Sequence, residues 1–325
     1  MAKFPLLDLH CDTATEIPDG RSLYENDGMI SITKMREGGV FCQFFAMFIR
    51  MSEYDSVEAA FRQLREIHRN FTGLLEKHSE HIALAHNAAG IAANRRAGKI
   101  SAVLTVEEGG VLDNRIERLD ELYGMGVRLV TLTWNFENCL GFPRATEPEA
   151  MNRGLKPFGF EVVERMRELG MLIDVSHLSD GGFWDVAKLV AKHTAKRGKK
   201  PFVASHSNAR SLRDHPRNLT DEMLKALGDS GGVAGINFYP PFLGAEEKGS
   251  VEQIIRHIKH IHKVAGIDAL ALGSDFDGYT DEHELSDCSK LGLLTDALSK
   301  SGYSEAEIEK ICWKNAMRVI EEVLF

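Results

Sequence analysis

The sequence predicts an α/β protein built as a single (β/α)8 barrel of the metal-dependent hydrolase type, and three observations support the barrel. Short apolar runs alternate with longer helical patterns along all 325 residues. Most of the short runs are continuously apolar, as in a parallel sheet that helices cover. No Pro/Ser-rich linker and no shift in composition divides the chain, so we expect one domain over residues 1–325.

Eight short runs are predicted strands. They lie at residues 6–9, 40–46, 101–106, 127–132, 172–175, 202–204, 233–237 and 270–273. Between them, apolar residues recur at helical spacing, most clearly from Val57 to Leu75. We expect segments 47–100 and 135–157 to be insertions at the barrel rim. We expect residues 304–325 to form terminal helices that pack outside the barrel.

Composition and charge exclude several classes of protein. The chain has 39 basic and 48 acidic residues and a net charge of −9, so we expect no nucleic-acid partner. No apolar run approaches the roughly 18 residues that a bilayer span requires, and no signal-peptide core is visible, so we expect no membrane association. The five cysteines are scattered without a CxxC pair. A cytoplasmic location with free thiols is therefore expected.

Several catalytic signatures are absent from the sequence. The first predicted strand is not followed by a GxGxxG fingerprint, which disfavours a doubly wound sheet as the rival fold. The chain also has no Walker A loop, no GxSxG elbow and no HExxH helix. Nucleotide enzymes, serine hydrolases and zincins are therefore not leading hypotheses.

Polar side chains follow the predicted strands at the end where barrel enzymes carry their chemistry. His10 and Asp12 follow the first strand, and their i, i+2 spacing lets both reach one ion. The later strands end, in chain order, at Glu107 and Glu108, His177, His206, Tyr239, and Asp275 with Asp277. Histidine and carboxylate side chains are ligand types that zinc prefers. The pattern predicts a metal site at the mouth of the barrel.

These motifs resemble those of the membrane (renal) dipeptidase family, zinc metallopeptidases with an amidohydrolase-like barrel. The resemblance covers nearly the whole chain. It rests on segments 8–13, 106–109, 129–133, 174–177, 205–207, 217–218 and 273–278. The Ser-His and Asp-Phe-Asp-Gly pieces among them are specific as a set.

The resemblance implies a site with two zinc ions per chain. Its ligands would be His10, Asp12, Glu107, His177 and His206. The first two would hold one ion, the two later histidines the other, and Glu107 would bridge both, with the adjacent Glu108 as the alternative bridge. The substrate-binding residues would be Arg217, Tyr239 and Trp134, the last of which stands where animal members have a histidine and would form a pocket wall. Asp275 would be the catalytic acid and base.

The resemblance implies a zinc-dependent dipeptidase that hydrolyses L-L dipeptides, with L-D dipeptides as further candidates. A water bridging the two ions would ionise near neutral pH and attack the amide carbon. Asp275 would transfer the proton to the leaving amine, and Arg217 would pair with the substrate's C-terminal carboxylate in a planar, bidentate manner. The small dipeptide is the expected partner, and a homodimer is compatible with the family.

Three alternatives stay open at this point. The same barrel could hydrolyse another small amide or cyclic amide, a phosphoester, or a deaminase substrate. A metal-free Schiff-base lyase would need a lysine at a strand end, and none of the eight predicted ends has one. A catalytically inactive binding protein would be expected to have lost at least one of the predicted ligands or Asp275, and all are present.

Overall fold

The chain forms a closed barrel of eight parallel strands that helices surround, which confirms the predicted fold class. The computed structural model describes residues 3–17, 21–197, 200–246 and 248–325. Its strands are β1 (Leu6–Cys11), β2 (Val40–Phe48), β3 (Ile82–Leu84), β4 (Ile100–Glu107), β5 (Val127–Thr131), β6 (Leu172–Asp174), β7 (Val203–Ala204), β8 (Val233–Ile236) and β9 (Leu270–Leu272). The ring runs β1-β2-β4-β5-β6-β7-β8-β9, and β9 pairs with β1 to close it.

Helices connect the strands and cover the outside of the barrel. They are α1 (Thr13–Glu16), α2 (Ile32–Gly38), α3 (Val57–Lys77), α4 (Ala88–Arg96), α5 (Ile116–Gly124), α6 (Pro148–Met151), α7 (Pro157–Leu169), α8 (Asp180–Arg197), α9 (Asp221–Asp229), α10 (Pro240–Leu243), α11 (Val251–Ala265), α12 (Leu291–Lys300), α13 (Glu305–Glu309) and α14 (Asn315–Val323), with a π-helical turn at Lys310–Lys314. Within the described ranges, none of these helices has the length and apolar character to cross a bilayer.

The segment expected as a rim insertion at 47–100 contains the end of β2, then α3, β3 and α4. The apolar stripe of α3 packs on the outer face of the sheet, where the rings of Phe71 and Phe45 lie 4.8 Å apart. The unpredicted strand β3 pairs with the first residues of β4, as in Ile82 opposite Ile100. Because β5 pairs only with the later residues of β4, β3 extends the sheet at the amino-terminal end of the barrel.

The last helix closes the amino-terminal end of the barrel. One buried cluster contains residues from all eight ring strands, among them Leu7, Phe44 and Leu129, and is therefore the barrel interior. Val319 and Ile320 of α14 belong to the same cluster. We expected residues 304–325 to pack outside, but the apolar face of α14 covers interior side chains that would otherwise contact water.

A register shift in β1 orients the first polar residues of the mouth. Asp8 lies opposite Gln43 of β2, whereas Cys11 lies opposite Phe45, so β1 has one extra residue in this stretch. Neighbouring residues of a regular strand face opposite sides of a sheet. The bulge lets Leu9 face the interior while the next residue, His10, also turns towards the mouth.

Candidate metal centre and substrate cavity

The five residues predicted as metal ligands meet at the carboxyl ends of the strands, and each is at most 8% exposed. His10 lies in β1 and Asp12 directly follows it, Glu107 ends β4, and His177 and His206 follow β6 and β7. Three groups of potential ligand atoms result, and within each group the atoms lie within 4.8 Å of one another. Two of them share Glu107: one contains His10, Asp12 and Glu107, and the other contains Glu107, His177 and His206. The third contains His10, His206 and Asp275.

Glu107 lies between the two groups, and its carboxylate oxygens are divided between them. Oε2 is 3.5 Å from Nε2 of His10, whereas Oε1 is 3.0 Å from Nε2 of His177 and 3.5 Å from Nε2 of His206. The adjacent Glu108 is turned into the following loop, where its Oε1 accepts hydrogen bonds from the Gly110 backbone N–H and from Nδ2 of Asn138, both at 2.6 Å. The two neighbouring carboxylates therefore have different surroundings.

Hydrogen bonds at the Nδ1 atoms of two histidines determine which nitrogen is free for a metal. Nδ1 of His177 lies 3.0 Å from Oδ1 of Asn135, an acceptor, so Nδ1 carries the proton. Nδ1 of His206 lies 2.7 Å from Oγ of Ser205, whose hydroxyl donates to Oδ2 of Asp174 at 2.6 Å. The two Nε2 atoms, 3.0 Å apart, thus present lone pairs to each other, an arrangement that a cation between them stabilises.

Unpaired atoms and carboxylate repulsion at the same place also fit a cation. Within the described ranges, both ring nitrogens of His10 and Oδ1 of Asp12 are buried without a hydrogen-bond partner. Burial, and then the charge of Glu107, raise the pKa of Asp12 well above its usual range. Burial also opposes ionisation of Glu107, but the charge of His10 holds its pKa well below the ordinary value. The donor set suits zinc.

Asp275 borders the ligands from the loop that follows β9. Its Oδ1 is 3.6 Å from Nε2 of His10, and its Oδ2 accepts a hydrogen bond from Nδ2 of Asn237 at 2.8 Å. Burial raises the pKa of this carboxyl group. The backbone of Asp275 has φ +64°, and that of His177 has φ +68°, a left-handed conformation that non-glycine residues rarely adopt and that clusters at functional sites.

A cavity of about 580 Å³ opens over these residues. Glu107, His177 and Asp275 line it, as do two further predicted residues, Trp134 and Tyr239. The indole ring of Trp134 lies 6.3 Å from the His177 ring. The two aromatic side chains give the cavity apolar wall surface next to the metal ligands.

Arg217, the predicted carboxylate-binding residue, lies beneath the cavity surface. It is 2% exposed, and its two Nη atoms donate to Oγ of Ser207 and to the backbone carbonyl of His206, both at 3.2 Å. Burial lowers the pKa of the guanidinium to about 10. The side chain is thus held by hydrogen bonds next to His206, one of the predicted metal ligands.

Four residues of the site were missed by the sequence reasoning. They are Asp174, Ser205, Asn237 and Arg144, which support a histidine, support Asp275, or line the cavity. The sequence did contain a signal for Ser205, since the Ser-His pair at 205–206 repeats the pair at 176–177. A serine hydroxyl next to a predicted metal-binding histidine can orient the imidazole ring. No comparable signal marks Arg144, which lies in the loop at 135–157.

The sequence profile of the membrane dipeptidase family (peptidase family M19) matches residues 1–324. The chain belongs to this family. It is a metal-dependent dipeptidase, which confirms the function predicted from the sequence motifs at this level of detail.

Relatives and solved structures agree with the family assignment. An uncharacterized dipeptidase of Schizosaccharomyces pombe is 32% identical over 307 residues, which are 89% of this chain and 70% of the relative. An uncharacterized protein from the pqqA 5' region of Klebsiella pneumoniae is 36% identical over 252 residues, 74% of this chain and 89% of the relative. The crystal structure of the dipeptidase AC, a family M19 metallopeptidase, has a TM-score of 0.87 at 25% identity and covers 99% of both chains.

A further solved structure shows the same fold. It is a metallopeptidase from Rhodobacter sphaeroides bound to a phosphinate mimic of the dipeptide L-Ala-D-Ala. Its TM-score to this chain is 0.85 at 24% identity, over 98% of this chain and 99% of the other.

Proposed function

We propose that this dipeptidase uses two zinc ions per chain and that Glu107 bridges them. The observation that carries this proposal is the division of the Glu107 oxygens between His10 on one side and the pair of His177 and His206 on the other. Asp12 would complete the first ligand group. When bound, the two ions supply the Lewis acidity that lowers the pKa of a water between them and polarises a carbonyl oxygen.

Asp275 is proposed to move the proton in the reaction. Its Oδ2 is held by Asn237, and its side chain lines the cavity beside His10, where it can accept a proton from the attacking water. The same carboxyl group then gives the proton to the amine nitrogen, which leaves as a neutral amine. A pKa raised by burial favours the first transfer, because a carboxyl group with its ordinary, lower pKa would stay ionised near neutral pH and bind the proton less tightly.

Arg217 is proposed to select short substrates, and Tyr239 and Trp134 are proposed to form walls of the substrate cavity. The guanidinium of Arg217 donates a hydrogen bond to the backbone carbonyl of His206. A carboxylate bound to this guanidinium would therefore lie close to the predicted metal ligands and to the scissile bond. A dipeptide has its α-carboxylate at that short distance, whereas a longer peptide has an uncharged amide. Trp134 provides an apolar wall for a substrate side chain.

Metal analysis joined to a substrate panel tests the proposal. The purified protein should contain about two zinc ions per chain and release free amino acids from L-L or L-D dipeptides, and a chelator should abolish the release. Zinc-loaded protein that is inert towards every dipeptide but cleaves another small amide or a cyclic amide would favour that alternative instead. Protein with full activity after complete metal removal would contradict the metal mechanism.

A cytoplasmic location and a homodimer are also part of this proposal. All five cysteines have free thiols, and four of them are buried, as is typical of chains from a reducing compartment. Cell fractionation tests the location, and sedimentation equilibrium tests the mass in solution. Disulfide bonds in the protein as isolated would contradict the cytoplasmic location, and a purely monomeric protein would contradict the homodimer.

A further inference from the structure

A second guanidinium group, that of Arg144, faces the cavity next to the predicted metal ligands. The loop that carries it is attached to the segment after β6, because Pro143 and Leu178 form an antiparallel bridge and the Arg144 backbone N–H donates to the His177 carbonyl at 2.7 Å. The position of Arg144 is therefore determined by the same backbone that positions His177.

The Arg144 side chain uses few of its donors within the protein. Nη2 donates to Oδ1 of Asn135 at 3.1 Å, the same oxygen that lies 3.0 Å from Nδ1 of His177. Within the described ranges, Nε is buried and has no hydrogen-bond partner. A guanidinium has five N–H groups in a planar fork, so Arg144 has donors that its described partners do not use.

The hydrogen-bond partners described for the two arginines at this site are uncharged. Arg144 contacts an amide oxygen, and Arg217 contacts a hydroxyl and a backbone carbonyl. In contrast, Arg118 and Arg210 pair with the carboxylates of Glu58 and Asp180. A partly buried guanidinium such as that of Arg144, with no carboxylate among its described hydrogen-bond partners, is stabilised by an anionic ligand.

The charge of Arg144 also acts on its neighbours. Burial lowers the pKa of His215 to about 4, and the charge of Arg144 acts in the same direction, so His215 is neutral at pH 7 and adds no further positive charge. For Arg217, the charge of Asp275 favours the charged form and that of Arg144 opposes it. Negative charge on a substrate in the cavity would stabilise the guanidinium of Arg144, which lines it.

We propose that Arg144 binds a carboxylate of the substrate, as a second carboxylate-binding residue beside Arg217. The proposal rests on the dipeptidase function proposed above. Two carboxylates can supply this chemistry: the α-carboxylate of the dipeptide and the side-chain carboxylate of a C-terminal Glu or Asp. In the second case the enzyme prefers dipeptides that end in an acidic residue.

Kinetics of Arg144→Gln on four substrates test the proposal and distinguish the two sources. The substrates are Ala-Glu, its uncharged counterpart Ala-Gln, Ala-Ala, and Ala-Ala amide. Loss of a charge-assisted contact should lower kcat/KM about 10- to 100-fold, mainly through KM, for substrates with the carboxylate that Arg144 binds. A loss confined to Ala-Glu identifies the acidic side chain. A loss for all three free dipeptides but not for the amide identifies the α-carboxylate.

Two controls accompany this variant. Arg153→Gln removes an exposed arginine of the same loop and should leave all four kcat/KM values within about twofold of wild type. Arg144→Lys keeps the charge without the fork and should restore part of the lost affinity. Zinc content and thermal midpoint should match wild type in all three variants.

Two results would overturn the inference. The first requires that the wild-type enzyme is active. If kcat/KM of Arg144→Gln is then lower than wild type by the same factor on all four substrates, or is unchanged on all four, Arg144 does not bind a substrate carboxylate. If zinc-loaded wild type is inert towards every dipeptide, the dipeptidase function fails, and this inference fails with it.

Discussion

Ser205 holds the imidazole of His206 at its Nδ1 atom, with Oγ at 2.7 Å. The hydroxyl proton is directed at Asp174, which also accepts a hydrogen bond from the Ser205 backbone N–H at 2.8 Å. The carboxylate therefore fixes the hydroxyl, and the hydroxyl fixes the tautomer and orientation of the ring. Such outer contacts leave Nε2 free to bind a metal.

Replacement of this hydroxyl should weaken metal binding. Ser205→Ala is expected to lower zinc affinity about 10- to 100-fold, because His206 loses the contact that fixes its tautomer. Competition with a fluorescent zinc chelator measures the affinity. Ser211→Ala, which removes an exposed hydroxyl bonded to Asp221, is the matched control and should bind zinc as wild type does. Equal zinc affinity in both variants would contradict the positioning role.

The two adjacent glutamates should respond differently to the same change. Glu107→Gln is expected to reduce the zinc content from about two ions to one or fewer and to lower kcat at least about 100-fold, because a neutral amide cannot bridge two cations. Elemental analysis and dipeptide kinetics measure these effects.

Glu108→Gln is the internal control. It should keep its zinc but lose about 1–3 kcal/mol of stability, because Glu108 accepts hydrogen bonds from the backbone N–H groups of Gly110 and Trp134 and from the Asn138 amide. Loss of zinc in Glu108→Gln together with retention in Glu107→Gln would reverse the assignment.

The two aspartates of one turn, Asp275 and Asp277, should differ in role: the first is expected to transfer a proton and the second to stabilise the fold. Asp275→Asn is expected to lower kcat by about 10²- to 10⁴-fold with little change in KM, because the amide cannot accept or return a proton. Asp277 instead accepts hydrogen bonds from Oγ1 of Thr13 and the Met29 backbone N–H, both at 2.6 Å. Asp277→Asn should therefore lower the thermal midpoint, and its effect on kcat should be much smaller than that of Asp275→Asn. Turnover retained in Asp275→Asn would assign proton transfer elsewhere.

A buried histidine that is not one of the predicted metal ligands should make stability depend on pH. His257 is fully buried; its Nδ1 accepts from the Ala209 backbone N–H, and its Nε2 donates to the Leu243 carbonyl. Burial lowers its pKa from 6.5 to about 4. The unfolded chain therefore takes up a proton on acidification before the folded chain does. The stabilisation is complete above pH 6.5 and is lost as the pH falls towards 4.

The expected size of this effect is on the order of 3 kcal/mol, since each tenfold change in proton affinity corresponds to about 1.4 kcal/mol. Urea unfolding at pH 7 and pH 4.5 measures the free energy of unfolding. His257→Asn should be less stable at pH 7 but should lose less stability on acidification than wild type. Parallel curves for the two proteins would exclude His257 as the source.

Much of the candidate site was accessible from the sequence because a parallel barrel simplifies the geometry. Every carboxyl end of a strand reaches the same mouth, so a histidine or carboxylate directly after a strand must lie near the others. This rule predicted His10, His206 and the pair Glu107 and Glu108, and the family resemblance favoured Glu107 of that pair. The eight ring strands were also found, since buried parallel strands are continuously apolar. The strand β3 was not, because three residues do not form a recognisable pattern.

The sequence by itself determined the barrel, the family and the order in which the polar groups reach the mouth, because local apolar runs and short motifs carry that information. Only the tertiary structure decided which residues support them. The extra residue in β1, the closure by α14, the orientation of Glu108 away from Glu107 and the presence of Arg144 in the cavity all depend on contacts between residues distant in the chain. No local pattern encodes such contacts, since they form only when the ring closes and brings its ends together.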